Sequence, residues 1–255
     1  MKKPFFSIIT ATKNSGKYIA DNLSSINNQT FGNFEHIIID GFSTDNTMEI
    51  IEKYKTKKTQ IFQKKPNGIS AAFNEGIRVS SGKYLIFLNS DDYFYSKEIL
   101  SKAAAFISES EYPDWIYGIK MDIESDGTPI STFPKNKLLK ISSSFILKLT
   151  NFIPHQAVFI SKKVFFKYGN FNVNFPYGMD YDLWLRICNK TKWIFFDQIV
   201  CNYRVHPEAR STSIEAKEKS KKYRNIIRKN HLTFAQRVIV GLTDVVLNQM
   251  NKTYR

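Results

Sequence analysis

The chain is poor in cysteine, with only Cys188 and Cys201 in 255 residues. Two thiols so placed form neither a disulfide framework nor a zinc spacing, and a reducing compartment suits them. Long apolar runs are also missing, since no stretch reaches the roughly eighteen apolar residues of a membrane-spanning helix. The opening MKKPFFSIITATKN imitates a leader peptide, with two lysines and then an apolar run. That run is short and no small-residue cleavage site follows, so it reads as a first buried strand. No Gly-x-Gly-x-x-Gly follows it, which removes the dinucleotide fingerprint. The segment from Gly76 to Lys83 imitates a phosphate loop, but five residues separate its glycines and Tyr84 stands where Ser or Thr belongs. No Ser-His-Asp order stands out, and four histidines carry no pattern of their own.

Positive charge is abundant. Thirty-seven Lys and Arg against 23 Asp and Glu give a formal charge of +14. Such a chain favours anions: nucleic acid, an acidic membrane or a phosphorylated substrate. Hydrophobic residues at 42% and aromatics at 15% exclude a disordered chain. The length suits one large domain, or one and a half.

The first half alternates strands and helices. Apolar, β-branched runs at 5–10, 34–39, 60–63, 84–88 and 115–119 read as strands. Between them, 17–28, 45–57, 70–79 and 96–108 carry apolar residues at helical spacing, as in Ile19, Leu23 and Ile26. This predicts an α/β fold: a single Rossmann-like, mostly parallel sheet flanked by helices. In such sheets ligands bind beyond the carboxyl ends of the strands. After 122 the pattern weakens. A turn at Ser125-Asp126-Gly127, a helix at 142–149, a strand at 156–160 and a helix at 180–189 are expected, with Trp184 in the core. From Glu215 onward ten of 41 residues are Lys or Arg and three are acidic, a net +7. The last helix, about 233–250, has Phe234, Val238, Leu242, Val245 and Met250 on one apolar face.

Acids mark two strand ends. Ile37-Ile38-Ile39-Asp40 leads into a loop, where Asp40 can accept hydrogen bonds from a ligand and Asp45 can equally cap the next helix. Leu85-Ile86-Phe87-Leu88 leads into Asn89-Ser90-Asp91-Asp92, an oxygen-rich cluster of the kind hard divalent cations require. Mg²⁺ or Mn²⁺ bridging a diphosphate is its natural use. A solvated turn and helix cap is the plainer one.

The order of segments is more specific than any one of them. Phe6-Ser7-Ile8-Ile9-Thr10-Ala11-Thr12-Lys13-Asn14 opens the chain, and Asn28-Gln29-Thr30-Phe31 precedes Phe34 to Gly41. Asn67-Gly68-Ile69-Ser70, Phe73-Asn74-Glu75-Gly76-Ile77, Ser81-Gly82-Lys83-Tyr84 and Leu88 to Asp92 follow. Asp180-Tyr181-Asp182-Leu183-Trp184-Leu185-Arg186 and Tyr203-Arg204-Val205-His206 come later. Over about residues 5–210 the series resembles the family 2 glycosyltransferases of the bacterial polysaccharide-biosynthesis type, with the glycosyltransferase-A fold.

The resemblance implies inverting transfer of a sugar from a nucleotide-diphosphate donor, most simply a UDP-sugar, to an acceptor hydroxyl. It places Thr10 and Thr12 beside the nucleoside, Asp40 on its base or ribose, and Asn67 near the same pocket. Asn89, Ser90 and Asp91 match the DXD motif of the family, with Asp91 ligating Mg²⁺ or Mn²⁺ and Asn89 or Asp92 assisting. His206 falls near the donor diphosphate or the metal, though it can also be a turn histidine ahead of Pro207. Asp180 matches the general base. His155 and Asp182 fall on the acceptor side, although Asp182 can instead pair with Arg186 one turn on. The chain departs from relatives at Gly41, Pro66, Ala71 and Met179, where acids are common.

A catalytic domain over 1–212 follows, with a nucleotide half of about 1–120 and an acceptor half of about 121–212, then a basic helical segment at 213–255. The acceptor expected is a lipid-linked or growing surface-polysaccharide, capsule or lipopolysaccharide O-antigen glycan. It is met in the cytoplasm at the inner face of an anionic membrane, where the basic segment docks peripherally. Packing of that segment onto the sheet is the competing expectation. A nucleotidyltransferase would show a Gly-rich phosphate loop near the start. A nucleic-acid-binding module would carry charge and aromatics on its ordered core, so no nucleic-acid partner is expected.

Overall fold

A computed structural model describes residues 3–65, 67–135, 142–207 and 213–241. The first half is built as the periodicity predicts. Strands β1 (Phe6–Thr12), β2 (Phe34–Asp40), β3 (Thr59–Gln63) and β4 (Tyr84–Phe87) alternate with helices α1 (Ile19–Asn27), α2 (Thr47–Tyr54) and α3 (Gly68–Val79). The four strands are parallel in the order β3-β2-β1-β4, in register so that Thr12, Asp40 and Gln63 finish level at one edge.

The second half is mixed. After β5 (Tyr93–Phe94) and α4 (Ile99–Glu109) come β6 (Trp115–Ile123), β7 (Pro129–Phe133), α5 (Ser144–Leu149), β8 (Val158–Ser161), α6 (Lys162–Tyr168), α7 (Met179–Ile187) and β9 (Trp193–Arg204). Strand β8 is antiparallel to both β4 and β6, whereas β9 runs parallel to β6. The short β5 and β7 close the edges antiparallel to β9 and β6. The turn expected at 125–127 joins β6 to β7, and Gly127 takes its left-handed conformation at φ 95°. The long strand β9 was not expected: its burial alternates irregularly, so neither a continuous apolar run nor a strict period of two marks it.

Alternation along the strands divides the core. Ile9, Ile37, Leu85 and Phe87 face one layer with Phe73 and Ile77 of α3, while Phe6, Ile8 and Ile86 face the other with Leu100, Ala103 and Ile107 of α4. In the first layer Trp115 stacks between Trp193 at 4.7 Å and Trp184 at 5.0 Å, so Trp184 is core as expected. At the opposite edge from the loops discussed below, buried Glu35 accepts hydrogen bonds from the hydroxyls of Ser7 and Ser81, from Gln60 and from the backbone of Ser81 and Gly82. One carboxylate thereby ties the starts of all four parallel strands.

The basic segment begins with α8 (Ile214–His231), which is joined to the body. Ile227 is fully buried in the same cluster as Trp184, and Arg228 Nη2 donates to the Leu149 carbonyl at 2.5 Å. Residues 234–241 are helical, as expected, and the rest of that expected helix lies outside the described residues. Among those residues no helix is long and apolar enough to cross a membrane.

The core also carries a titrating group. His36 Nε2 lies 3.0 Å from Thr10 Oγ1, and burial drives the His36 pKa from 6.5 down to about 3. The unfolded chain takes up this proton near pH 6.5 and the folded chain does not, so stability falls as pH drops through that interval, by about 1.4 kcal/mol per unit at most. Urea midpoints of His36→Gln, followed from pH 7 to 4.5, should decline less steeply than those of the wild type. Parallel curves would place the acid sensitivity elsewhere.

Candidate active site

The level strand ends open onto one cleft of about 820 Å³. Its first wall comes from the loops after the parallel strands: Thr12 and Lys13 after β1, Gly41 after β2, Lys64, Lys65 and Asn67 after β3, and Asn89, Ser90 and Asp91 after β4. The facing wall comes from Asn151, Ile153 to Gln156, Pro176 to Asp180, Lys120, Tyr203 and Ser220 of α8. The cleft thus lies where ligands bind in open α/β sheets, and its size suits a nucleotide-sized ligand.

The β4 loop is held from below. The buried Asn22 amide of α1 donates to the carbonyls of Asn89 at 2.8 Å and Asp92 at 2.9 Å. Asp91 projects into the cleft, and its Oδ2 lies 3.1 Å from His206 Nε2. His206 is positioned by β9, with its ring 4.8 Å from that of Tyr18. Arg204 braces the same corner, donating to the Asp91 carbonyl, the Ser125 carbonyl and the Asp21 carboxylate. Across the cleft Asp180 stands at the second residue of α7, and its Oδ2 lies 3.4 Å from Asn151 Nδ2 and 3.9 Å from His155 Nδ1. Burial lowers the His155 pKa against the opposing pull of Asp180, which favours a neutral ring.

Thr12, Asn67, Asn89, Ser90, Asp91, His155 and Asp180 therefore share the cleft. Four expected residues are placed differently. Asp92 is fully buried, with Oδ1 accepting the Arg204 N–H at 3.0 Å and Oδ2 accepting the Asn89 amide at 2.9 Å. Burial, and then the charge of Asp91, push its pKa well above the usual carboxylate range. Both of its oxygens are bonded within the protein, and it does not line the cleft where it was expected to assist at the metal. Asp182 is likewise buried beneath the acceptor side, accepting from Arg186 at 2.9 Å and from His231 of α8 at 2.8 Å. It pairs along and between helices instead of facing an acceptor. Thr10 points inward to His36, so only Thr12 of that pair reaches the cleft. Asp40 is fully buried at the rim, where its carboxylate accepts from the Ser43 backbone and hydroxyl and from Gln63. Asp45 takes the capping role, accepting from Thr47 and from the Gly16 N–H.

Of the second wall, sequence reasoning named His155 and Asp180 and missed Asn151, Tyr177 and Ser220, and it also missed Asn22 beneath the β4 loop. These residues belong to no motif and meet the site only through the fold. The chemistry of the cleft is that of an anion and a cation together. Lys13, Lys64 and Lys65 gather on the loops after β1 and β3, while Asp91 and His206 can offer an oxygen and a nitrogen to one divalent ion. Asn89 Oδ1 is buried beside them with no hydrogen-bond partner, so the donor set fits a cation completed by phosphate and water. Among the described residues no three His, Cys, Asp or Glu side chains cluster as a closed metal site. Thr12 Oγ1, Asn151 Oδ1 and His155 Nε2, all in cleft residues, are also buried and unpartnered. Buried polar atoms left unpaired cost about 1–3 kcal/mol each, and a ligand that meets them recovers that cost.

Residues 7–168 match the family model described as Glycosyl transferase family 2. The PGL/p-HBAD biosynthesis glycosyltransferase of Mycobacterium tuberculosis is 31% identical over 189 residues, which is 73% of this chain and 70% of that one. The poly(ribitol-phosphate) beta-N-acetylglucosaminyltransferase TarS of Staphylococcus aureus is 36% identical over 133 residues, 50% of this chain and 23% of TarS. A crystal structure of S. aureus TarS matches at TM-score 0.63 and 27% identity, covering 80% of this chain and 37% of that one. TarS 1–349 in complex with UDP-GlcNAc matches at TM-score 0.70 and 24% identity, over 92% and 70% of the two chains. The mannosyltransferase PcManGT of Pyrobaculum calidifontis, in complex with GDP-Man and Mn²⁺, matches at TM-score 0.65 and 16% identity, over 82% and 59%.

Two acids one residue apart now have opposite expectations. Asp182→Ala leaves Arg186 and His231 without their shared partner and should cost about 2–3 kcal/mol, below a fully buried pair because both partners stay partly solvated. Asp180→Ala should leave stability within about 0.5 kcal/mol. Denaturant unfolding of the two variants would reverse these assignments if Asp180→Ala proved the more damaging.

Proposed function

The chain belongs to glycosyl transferase family 2 and has the glycosyltransferase-A fold, and from that premise we propose that it moves a sugar from a nucleotide-diphosphate donor, a UDP-sugar, to an acceptor hydroxyl with inversion at the anomeric carbon. The observation that carries this reading is the pairing of Asp91 with His206 on one wall of the cleft and Asp180 on the other. UDP-GlcNAc in a structural neighbour supports the donor class, and Mn²⁺ in another supports a divalent ion.

In this reading Thr12, Asn67 and the loop lysines hold the nucleotide, and the buried Asp40 holds the shape of the β2 loop beside it through Ser43 and Gln63. Asp91 and His206, with Asn89 and Ser90 alongside, are the residues that would hold Mg²⁺ or Mn²⁺. A bound ion would neutralise charge on the diphosphate. Asp180 takes the proton of the acceptor hydroxyl as its oxygen bonds to the anomeric carbon, and the bond from that carbon to the diphosphate oxygen breaks. The nucleoside diphosphate leaves with the electron pair. Base and leaving group stand on opposite walls, as a single displacement requires.

The acceptor is a lipid-linked sugar or growing surface glycan, met from the cytoplasm at an anionic membrane face. Exposed Phe234, Val238 and Ile239 beside the lysines of α8 support peripheral contact with such a surface.

UDP release from UDP-sugars tests the core of the proposal. Activity should disappear in EDTA and return with Mn²⁺ or Mg²⁺, and Asp91→Ala should lose most turnover while remaining folded. Full wild-type turnover in EDTA would end the metal assignment. Asp180→Asn should bind UDP as the wild type does and lose about 10²–10⁴-fold in turnover. Normal turnover with weakened UDP binding would move Asp180 to the donor side.

A further inference from the structure

The wall opposite the donor loops is built differently from them. Its lysine, Lys120, is ion-paired with Asp122 and lies 3.8 Å above the Tyr203 ring, whereas the donor side carries three lysines on two loops, of which Lys64 is paired with Glu75 at 3.5 Å. Lysines that can meet a diphosphate are therefore more numerous at one end. The other end is lined by Tyr177 and Asp180 together with Asn151 and His155, whose Oδ1 and Nε2 are buried without a hydrogen-bond partner. Tyr177 does not stand alone. Tyr223 of α8 lies behind it at 6.2 Å with the rings 29° apart, and Phe175 packs on Tyr223 at 6.3 Å. Ser220, one turn before Tyr223 on α8, reaches the cleft itself. The turn that carries Tyr177 is pinned from the same side, since Gly178 adopts φ 75° with Ile227 so close that a Cβ there would meet its Cδ1 at 2.9 Å.

An aromatic face bordered by unpaired acceptors and donors has the chemistry that recognises a pyranose. The C–H face of the ring stacks on the aromatic, and the hydroxyls meet the polar atoms around it. We propose that Tyr177, backed by Tyr223 and bordered by Ser220, Asn151 and His155, forms the subsite for an uncharged pyranose ring of the acceptor, so that α8 helps determine which acceptor is used. This rests on the transferase reading and names the substrate class of its second site. The ring on Tyr177 then lies beside Asp180, with a hydroxyl in reach of the group assigned as base.

The probes are the p-nitrophenyl pyranosides of glucose, galactose, mannose and N-acetylglucosamine, with binding measured by saturation-transfer NMR in the presence of UDP. At least one should bind the wild type. Tyr177→Ala and Ser220→Trp should weaken that probe about tenfold or more, the loss expected of one aromatic contact or one blocked edge. Tyr223→Phe, which keeps the backing ring, should bind as the wild type does, and UDP affinity should be the same in all four proteins. Thermal midpoints guard against misfolding of Tyr177→Ala, and Ser220→Trp alters a half-exposed position and tests the wall independently. If the wild type binds UDP and none of the pyranosides, or if Ser220→Trp binds its probe unchanged, the subsite is wrong and the donor reading survives. If the wild type binds no nucleoside diphosphate at all, the donor reading fails and the subsite fails with it.

Discussion

A carboxylate that never reaches the cleft decides where the acids of the cleft stand. Asp92 lies at the seam between the parallel half of the sheet and the mixed half, accepting from Arg204 at the end of β9 and from Asn89 in the β4 loop. The two segments are more than a hundred residues apart in sequence, yet Asp91 and His206 are their immediate extensions. Asn22 and the Arg204 guanidinium fasten the same loop from two further directions. Burying an acid is expensive, and the raised pKa of Asp92 records that expense. The arrangement persists because each oxygen has a donor. Without this seam, the 3.1 Å approach of Asp91 to His206 would depend on two loops meeting unaided.

The same division of labour recurs on the other wall. Asp180 faces the cleft and Asp182 faces inward, where Arg186 and His231 enclose it. Neighbouring acids on one helix thus separate into one that is solvated and accessible and one that is structural. In both pairs the outward acid is lightly held, with two long contacts for Asp180 and a histidine for Asp91, and the inward one is fully bonded. A catalytic carboxylate must exchange partners during turnover. Rigid placement is therefore supplied by its neighbour and not by bonds to itself.

The parallel half was readable because its physics is local. Continuous apolar runs and helical spacing identify β1 to β4 and their helices, and strand ends in such a sheet name the loops that matter. The motif series then placed Asp91, His206, Asp180 and His155 near one another before any geometry was known. What could not be read was which of two adjacent acids turns inward. Asp91 and Asp92 have the same chemistry, and the difference is set by Arg204 and Asn22, which arrive from distant segments. Thr10 and Thr12 share a strand face, yet His36 of β2 occupies only the first. Strand β9 escaped because it pairs on both sides, with β6 and with β5, while its own residues lack a clear period. The rest of the second wall escaped for a related reason, since Tyr177 and Ser220 acquire a role only from the helix packing that juxtaposes them.

The net +7 over the last 41 residues left two expectations, docking on an anionic surface and packing onto the sheet. Helix α8 joins packing with exposed charge: Ala216, Ile227 and Arg228 are buried against the body, while Lys217, Lys219, Lys221, Lys222 and Lys229 are exposed. Charges on a flexible tether attract an anionic surface without orienting anything. Charges fixed on a helix that is itself packed against α7 hold a constant direction relative to the cleft, within roughly one Debye length of whatever they face. Ser220 of that same helix lines the cleft, while Tyr177 lies on the turn before α7 against which Ile227 of α8 packs. Exposed charge and part of the second wall are then properties of one element, and a sequence change in α8 bears on both together.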